Sequence, residues 1–170
     1  MNLRIIKTIL LGGLMALAMA LSGCHSEPKT NIEKIDRLKK QVEADAKLLN
    51  DIETKTFVKL EKDFLVCDSM LQYQNSELVD QSFQTLQLVQ AYLEQFKATK
   101  PVMQSEIDST LLQLNRLKAD AESHYLSDSL VAEYINTETE YVNRLSNQVQ
   151  YFQDRFGTCQ KDLGTLKKQR

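Results

Sequence analysis

The sequence predicts an all-α chain: a long antiparallel helical hairpin or an up-down helical bundle with coiled-coil packing. Three observations predict it. From Cys24 to Phe156 there is no glycine, and the only prolines are Pro28 and Pro101, so the chain lacks the punctuation that strands and hairpins need. Leu, Gln, Glu, Lys and Asp recur throughout, and most of these lose little side-chain freedom in a helix. Apolar residues return at alternating steps of three and four, the repeat by which one helix presents a stripe to another.

Ahead of this body lies a leader. Residues 1–7 carry Arg4 and Lys7 and no acid, and residues 8–21 are almost entirely apolar, with Gly12 and Gly13 among them. That run falls short of the roughly 20 residues a membrane-spanning helix needs, and small residues follow it directly, which is a signal-peptide layout. The next four positions, Leu21-Ser22-Gly23-Cys24, resemble the lipobox of bacterial lipoproteins, where a branched apolar residue and two small ones precede a cysteine. The resemblance implies that the Cys24 thiol receives a diacylglycerol, that a peptidase cuts between Gly23 and Cys24, and that the new amino terminus is acylated with a chain such as palmitate. A thiolate suits this role because it is a strong nucleophile that forms a stable thioether. Each buried methylene adds about 0.8 kcal/mol of membrane affinity, so two or three chains make a lasting anchor. The expected division is residues 1–23 as a removed lipoprotein signal peptide, 24–29 as a short lipidated tether, and 30–170 as a helical domain. The expected location is the cell envelope. His25 in place of an aspartate favours, by the same resemblance, the outer over the inner membrane, and leaves open whether the body faces the periplasm or the cell surface.

Two of the 21 basic residues leave with the leader while all 23 acidic residues stay, so the mature chain has a net formal charge of −4. Nucleic-acid binders show a basic patch, so no nucleic-acid partner is expected.

Along the mature chain, Thr30 and Glu33 make a capping-box pattern that starts the first helix. Phe57, Leu60, Phe64, Cys67 and Leu71 form one heptad stripe, and Val142, Leu145, Val149, Phe152, Phe156, Cys159, Leu163 and Leu166 form a second without a slip. Between Val42 and Phe57 the steps become four and four, a stutter that loosens supercoiling. Four places lack apolar residues and are candidate turns: Gln74 to Glu77, Lys97 to Pro101, Ser127 to Ser129 and Asn136 to Glu140. Pro101 is the strongest, because proline is expelled from helix interiors, and Thr137 with Glu140 repeats the capping box. A break at Pro101 alone gives a two-armed hairpin; further breaks give a four-helix up-down bundle.

Cys67 and Cys159 lie on the stripes of a chain bound for an oxidising compartment, which makes them a candidate disulfide. A bridge needs Cα atoms within about 7 Å. The simple hairpin offsets the two by roughly 39 Å in height, whereas turns at Gln74 to Glu77, near 100 and at Asn136 to Glu140 bring them within about 5 Å. That arrangement would leave Thr30 to Ile52 without a full-length partner helix. The alternatives are two buried thiols acting as small hydrophobes, or an intermolecular bridge.

The two histidines are His25 and His124, too few for most histidine-based catalysis or metal binding. Asp120, His124 and Asp128 recur at steps of four, a spacing that reads as a solvated helix face with polar pairs ahead of a weak metal site. No phosphate-binding glycine loop, G-x-S-x-G elbow, H-E-x-x-H helix or calcium loop is present, and no cofactor or enzymatic activity is expected. Most aromatic residues fall on the stripes and read as core. Tyr134 and Tyr141 are the exceptions and are candidates for a partner surface. Lys161, Lys167, Lys168 and Arg170 make the end of the last helix basic, which complements its dipole.

Two functions follow as expectations. The first is a lipid-anchored envelope protein whose helical body is a spacer or adaptor, with membrane lipid bound through Cys24 and a protein partner or self-association through the helix seams. The alternative is a periplasmic chaperone-like or inhibitor module.

Overall fold

A computed structural model describes residues 28–71 and 79–168; the expected signal peptide with Gly23, Cys24, the Gln74 to Glu77 gap and Arg170 lie outside the described residues. All the described elements are helical: α1 (Pro28–Asp51), a π-helical turn (Ile52–Phe57), α2 (Val58–Leu71), α3 (Val79–Glu122) and α4 (Asp128–Lys168). α1, the π turn and α2 form one continuous rod, so the body is an up-down-up bundle of three long helices. Pairings across the bundle give the directions. Asp36 meets Lys118 and Glu53 meets Lys100, so α3 runs antiparallel to α1. Asn31 bonds to Asp128, and Asp63 to Lys167, so α4 runs parallel to the first rod. At 44 residues, α3 is about 66 Å long.

Each helix keeps one stripe against the other two. On α4 the buried set is Val131, Ile135, Val142, Leu145, Val149, Phe152, Phe156, Cys159 and Leu163, which includes the stripe expected from the sequence. On α3 it runs Ser82, Leu86, Val89, Leu93, Phe96, Met103, Ile107, Thr110, Leu114, Leu117 and Ala121, in steps of three and four except for one missing position between Phe96 and Met103. That position is Lys100, whose ammonium reaches Glu53 at 2.9 Å.

Lys100 explains why Pro101 does not break the chain. The gap at Lys97 to Pro101 reads as a turn, yet Pro101 lies inside α3 on its exposed face. A proline in a helix interior costs about 3 kcal/mol or more. Phe96, Met103 and Ile107 on either side are each at most 2 % exposed, and each contributes about 1.5–3 kcal/mol by burial. Keeping one straight stripe outweighs the lost hydrogen bond.

The gap at Asn136 to Glu140 is also interior to a helix. Thr137 and Thr139 each donate a hydroxyl to the carbonyl four residues back, Glu133 at 3.3 Å and Ile135 at 2.7 Å. Bonding back in this way satisfies the hydroxyl inside a helix instead of capping a new one. The stripe position there is Glu138, between Ile135 and Val142. Its Oε2 is enclosed without a hydrogen-bond partner, and burial holds its carboxyl above the ordinary range. The folded protein therefore keeps this proton to a higher pH than the unfolded chain does, and stability is lost as pH rises through the folded pKa. Glu138→Gln is expected to be more stable than wild type at neutral pH, by under about 1 kcal/mol given the partial solvent access. The difference closes as pH falls to about 4, where the unfolded carboxyl also protonates. Thermal melts of both proteins at the two pH values check this; a variant that melts lower at neutral pH contradicts it.

The Ser127 to Ser129 gap does turn. α3 ends in a Schellman-type stop: Tyr125 N–H bonds to Asp120 O at 3.0 Å, His124 N–H to Ala121 O at 3.3 Å, and His124 adopts φ 54°. His124 thus occupies the left-handed position where glycine is commonest. Ser127 then caps α4, its Oγ accepting the Leu130 N–H at 3.4 Å. The first helix starts at Pro28, two residues before the Thr30 cap expected from the sequence, and proline is well suited to a first helical turn.

The expected stutter between Val42 and Phe57 is a different device. The stripe runs Asn31, Ile35, Leu38, Val42, Asp45, Leu49, Ile52 in threes and fours, then takes one step of five to Phe57. The π turn sits at that step, and its i to i+5 bonding absorbs the extra residue, so the register is restored at once and not gradually unwound. Phe57 thereby joins a cluster at mid-bundle. Its ring centroid lies 5.2 Å from that of Phe96 and 6.0 Å from that of Phe156, and Phe96 is 5.2 Å from both Phe152 and Phe156.

Candidate partner-binding surface

A three-helix bundle has three outer grooves, and their chemistry differs. The groove between the first rod and α3 is crossed by ion pairs: Asp36 to Lys118 at 2.7 Å, Glu53 to Lys100 at 2.9 Å and Glu61 to Lys97 at 2.6 Å. Lys118 holds the Asp36 carboxyl below its usual range. The groove between the first rod and α4 is crossed by Asp63 to Lys167 at 2.5 Å and by a small network at the polar stripe position Asp45. There Gln41 Nε2 donates to Ser146 Oγ at 2.9 Å, and the Ser146 hydroxyl donates in turn to the Asp45 carboxylate. Burial still raises the Asp45 carboxyl.

The α3/α4 groove is unlike these. Among the described residues no side-chain hydrogen bond or ion pair joins α3 to α4. The Arg155 guanidinium does cross it, lying over Tyr92 of α3 at 5.5 Å and over Tyr151 at 5.3 Å. Arg144 lies over Tyr141 at 4.8 Å. Beside Arg144 and Tyr151 the surface forms a hollow of about 710 Å³, lined also by Gln95 and Thr99 from α3 and by Glu140, Asn143, Asn147, Gln148 and Phe152 from α4. A second hollow of about 230 Å³ adjoins it through Arg144 and adds Ser105, Glu106, Ser109 and Gln113. The two make one open, polar, tyrosine-walled trough along the bundle.

A smaller hollow of about 380 Å³ lies between α2 and α3. It is walled by Val58, Phe64, Leu65 and Leu93 with Glu61 and Lys97 at its rim, and Leu65 is 61 % exposed.

The site residues expected from the sequence are distributed as follows. Gly23 and Cys24 lie outside the described residues. Tyr134 and Tyr141 are both exposed on α4, on the helix face that carries Arg144, Tyr151 and Arg155. Cys67 and Cys159 are buried free thiols. Cys67 Sγ donates to Leu163 O at 3.7 Å, so it sits level with a residue one helical turn beyond Cys159. Burial raises the Cys67 thiol and pushes Cys159 up to about 11, where a thiol behaves as a small hydrophobe. Asp120, His124 and Asp128 fall on either side of the turn and do not share one helix face. Among the described residues no three His, Cys, Asp or Glu side chains gather closely enough to hold a metal ion. Lys167 is spent on Asp63, leaving Lys161 and Lys168 exposed.

Arg144, Tyr151, Arg155 and Tyr92 were not singled out by sequence reasoning. Their signal is nonetheless present: on α4 each of the first three directly precedes a buried stripe residue (Leu145, Phe152, Phe156), and so lines the flank of the core.

Among the described residues no helix is long and apolar enough to cross a membrane. Comparison with protein-family models, with curated proteins and with solved structures returns no match.

Proposed function

We propose that this chain is a lipid-anchored protein of the bacterial cell envelope whose three-helix body acts as a spacer or adaptor. The observation that carries the reading is the Leu21-Ser22-Gly23-Cys24 sequence placed four residues before the helix that opens at Pro28. A lipid on Cys24 would hold the base of the rod against the bilayer. α1 and α4 both begin at that base, and the far end of the body would stand about 60 Å away. A stiff rod with one open polar face suits bridging and docking better than it suits chemistry, which needs reactive groups converging in a cleft.

The test is the anchor. In cells fed an alkyne analogue of palmitate, the wild-type chain is expected to take up label and to sediment with membranes. Cys24→Ala is expected to lose the label entirely and to leave the membrane fraction or stay as uncleaved precursor. Label retained on Cys24→Ala would contradict the reading.

The apolar hollow at Val58, Phe64, Leu65 and Leu93 favours a second reading, a chaperone-like module that holds an apolar client segment. Suppression of client aggregation by wild type, lost in Leu65→Glu, would support it.

A further inference from the structure

We propose that the turn between α3 and α4 is a second point of contact with the bilayer, where the Tyr125 ring lies among the lipid headgroups beside the anchored end of the chain. This contact presupposes the lipid anchor on Cys24 and specifies how the rod stands on the membrane.

Height decides what the turn can reach. Asn31 Nδ2 donates to Asp128 O at 3.2 Å, so the first turn of α1 is level with the first turn of α4. Pro28 and Tyr125 each lie three residues before those two partners, which puts the start of α1 and the α3/α4 turn at the same end of the bundle, one helix apart. From Cys24 to Pro28 the chain spans at most about 14 Å even when fully extended. A lipid on Cys24 would keep this end of the bundle, and the turn with it, within that distance of the membrane surface.

The composition of the turn suits that place. Ser123-His124-Tyr125-Leu126-Ser127 holds no acid, lysine or arginine. Tyr125 is 80 % exposed, the most of any large apolar side chain among the described residues. The turn is held from behind, with Tyr125 N–H bonded to Asp120 O at 3.0 Å and Leu126 packed against the core, so the ring is presented outward on a fixed backbone. A ring with apolar faces and a hydroxyl tip is favoured where hydrocarbon gives way to water.

Charge selects the kind of surface. Asp120, Glu122 and Asp128 flank the turn, and the nearest lysine on α3, Lys118, is already paired with Asp36 and lies 3.9 Å from Glu122. On α1 the exposed cations begin with Lys34, about 9 Å above Pro28, which is a full Debye length at physiological salt. Carboxylates gain nothing from anionic headgroups, so the occupant is a zwitterionic lipid surface, met through the ring and not through ion pairs. One lipid attachment lets a rod pivot about it; a second contact one helix away restricts its tilt.

The chain has no tryptophan, so Tyr125→Trp supplies a unique fluorophore. The full lipidated chain carrying it is reconstituted into phosphatidylcholine vesicles brominated near the headgroup end of the acyl chains. Phe83→Trp, at a position 52 % exposed and about 58 Å along α3 from the turn, is the control. Emission from the Tyr125→Trp protein is expected to shift to the blue and to be quenched by bromine, while the Phe83→Trp protein stays unquenched. The quenching is expected to weaken when brominated phosphatidylglycerol replaces phosphatidylcholine. Absence of quenching at position 125, a blue shift there without quenching, equal quenching at both positions, or stronger quenching in phosphatidylglycerol would each overturn the proposal. Flotation of the same samples separates the readings: protein that floats with the vesicles unquenched rejects the turn contact alone, and protein that carries no diacylglyceryl group and does not float rejects the anchor and the contact with it.

Discussion

Deleting Ser105 from the middle of α3 is expected to abolish cooperative folding, whereas deleting Lys55 from the π turn is expected to cost no more than about 1 kcal/mol. A one-residue deletion in a regular helix turns everything beyond it by about 100°. Past Ser105 that would swing Ile107, Leu114 and Leu117, now 0 %, 0 % and 7 % exposed, out of the core. At about 1.5–3 kcal/mol each, their loss rivals the 5–15 kcal/mol that stabilises a typical domain. The π turn behaves oppositely because it already holds a surplus residue. Removing Lys55 turns the step of five into a step of four, converts the turn to ordinary α-helix, and leaves Ile52 and Phe57 on one stripe. What is lost is the exposed Lys55 to Asp51 pair at 2.6 Å, a surface contact of small value. Urea denaturation followed by circular dichroism separates the two. If both deletions unfold the protein, the π turn is not the register device described above.

Phe96→Ala is expected to destabilise the protein by about 3–5 kcal/mol, the usual range for a buried phenylalanine reduced to alanine. Phe96 is 2 % exposed and is the hub of the aromatic cluster, touching Phe57 from the π turn and both Phe152 and Phe156 from α4. The pairs with Phe152 and Phe156 are edge-to-face and add about 0.5–1.5 kcal/mol each beyond area, and truncation of the hub breaks both at once. Phe83→Ala, at a position 52 % exposed on the same helix, serves as the control and is expected to change stability by under about 0.5 kcal/mol. A loss below about 1 kcal/mol at Phe96 would mean that the cluster is not the centre of the core.

The all-α class and the α4 stripe could be read from the sequence because apolar periodicity reports burial directly. The turn at Ser127 to Ser129 was legible too, since serines there cap a helix that starts where the pattern resumes. Two other gaps were not turns, and for one physical reason. Each is a single stripe position filled by a charged residue, Lys100 paired to Glu53 in one case and Glu138 enclosed in the other. A gap in apolar residues therefore marks a polar layer as readily as a loop. Pro101 carried too much weight because proline's penalty is local, while the stripe it interrupts is stabilised along the whole of α3. The step of five from Ile52 to Phe57 was present in the sequence but becomes a π turn only when three helices must stay in register. The polar trough was the least legible feature. Tyr134 and Tyr141 pointed towards it, yet which flank of α4 lies open depends on which grooves the ion pairs close, and those pairs join residues more than 30 positions apart.

The central claim is that Cys24 becomes the lipid-bearing first residue of the mature protein. Mass spectrometry of the N-terminal tryptic peptide from membrane-extracted protein tests it most directly, because cleavage after Lys29 releases residues 24–29 alone. The expected species is that peptide starting at Cys24 with a diacylglyceryl thioether. A protein beginning at Met1, or a peptide with an unmodified Cys24 thiol, would contradict it.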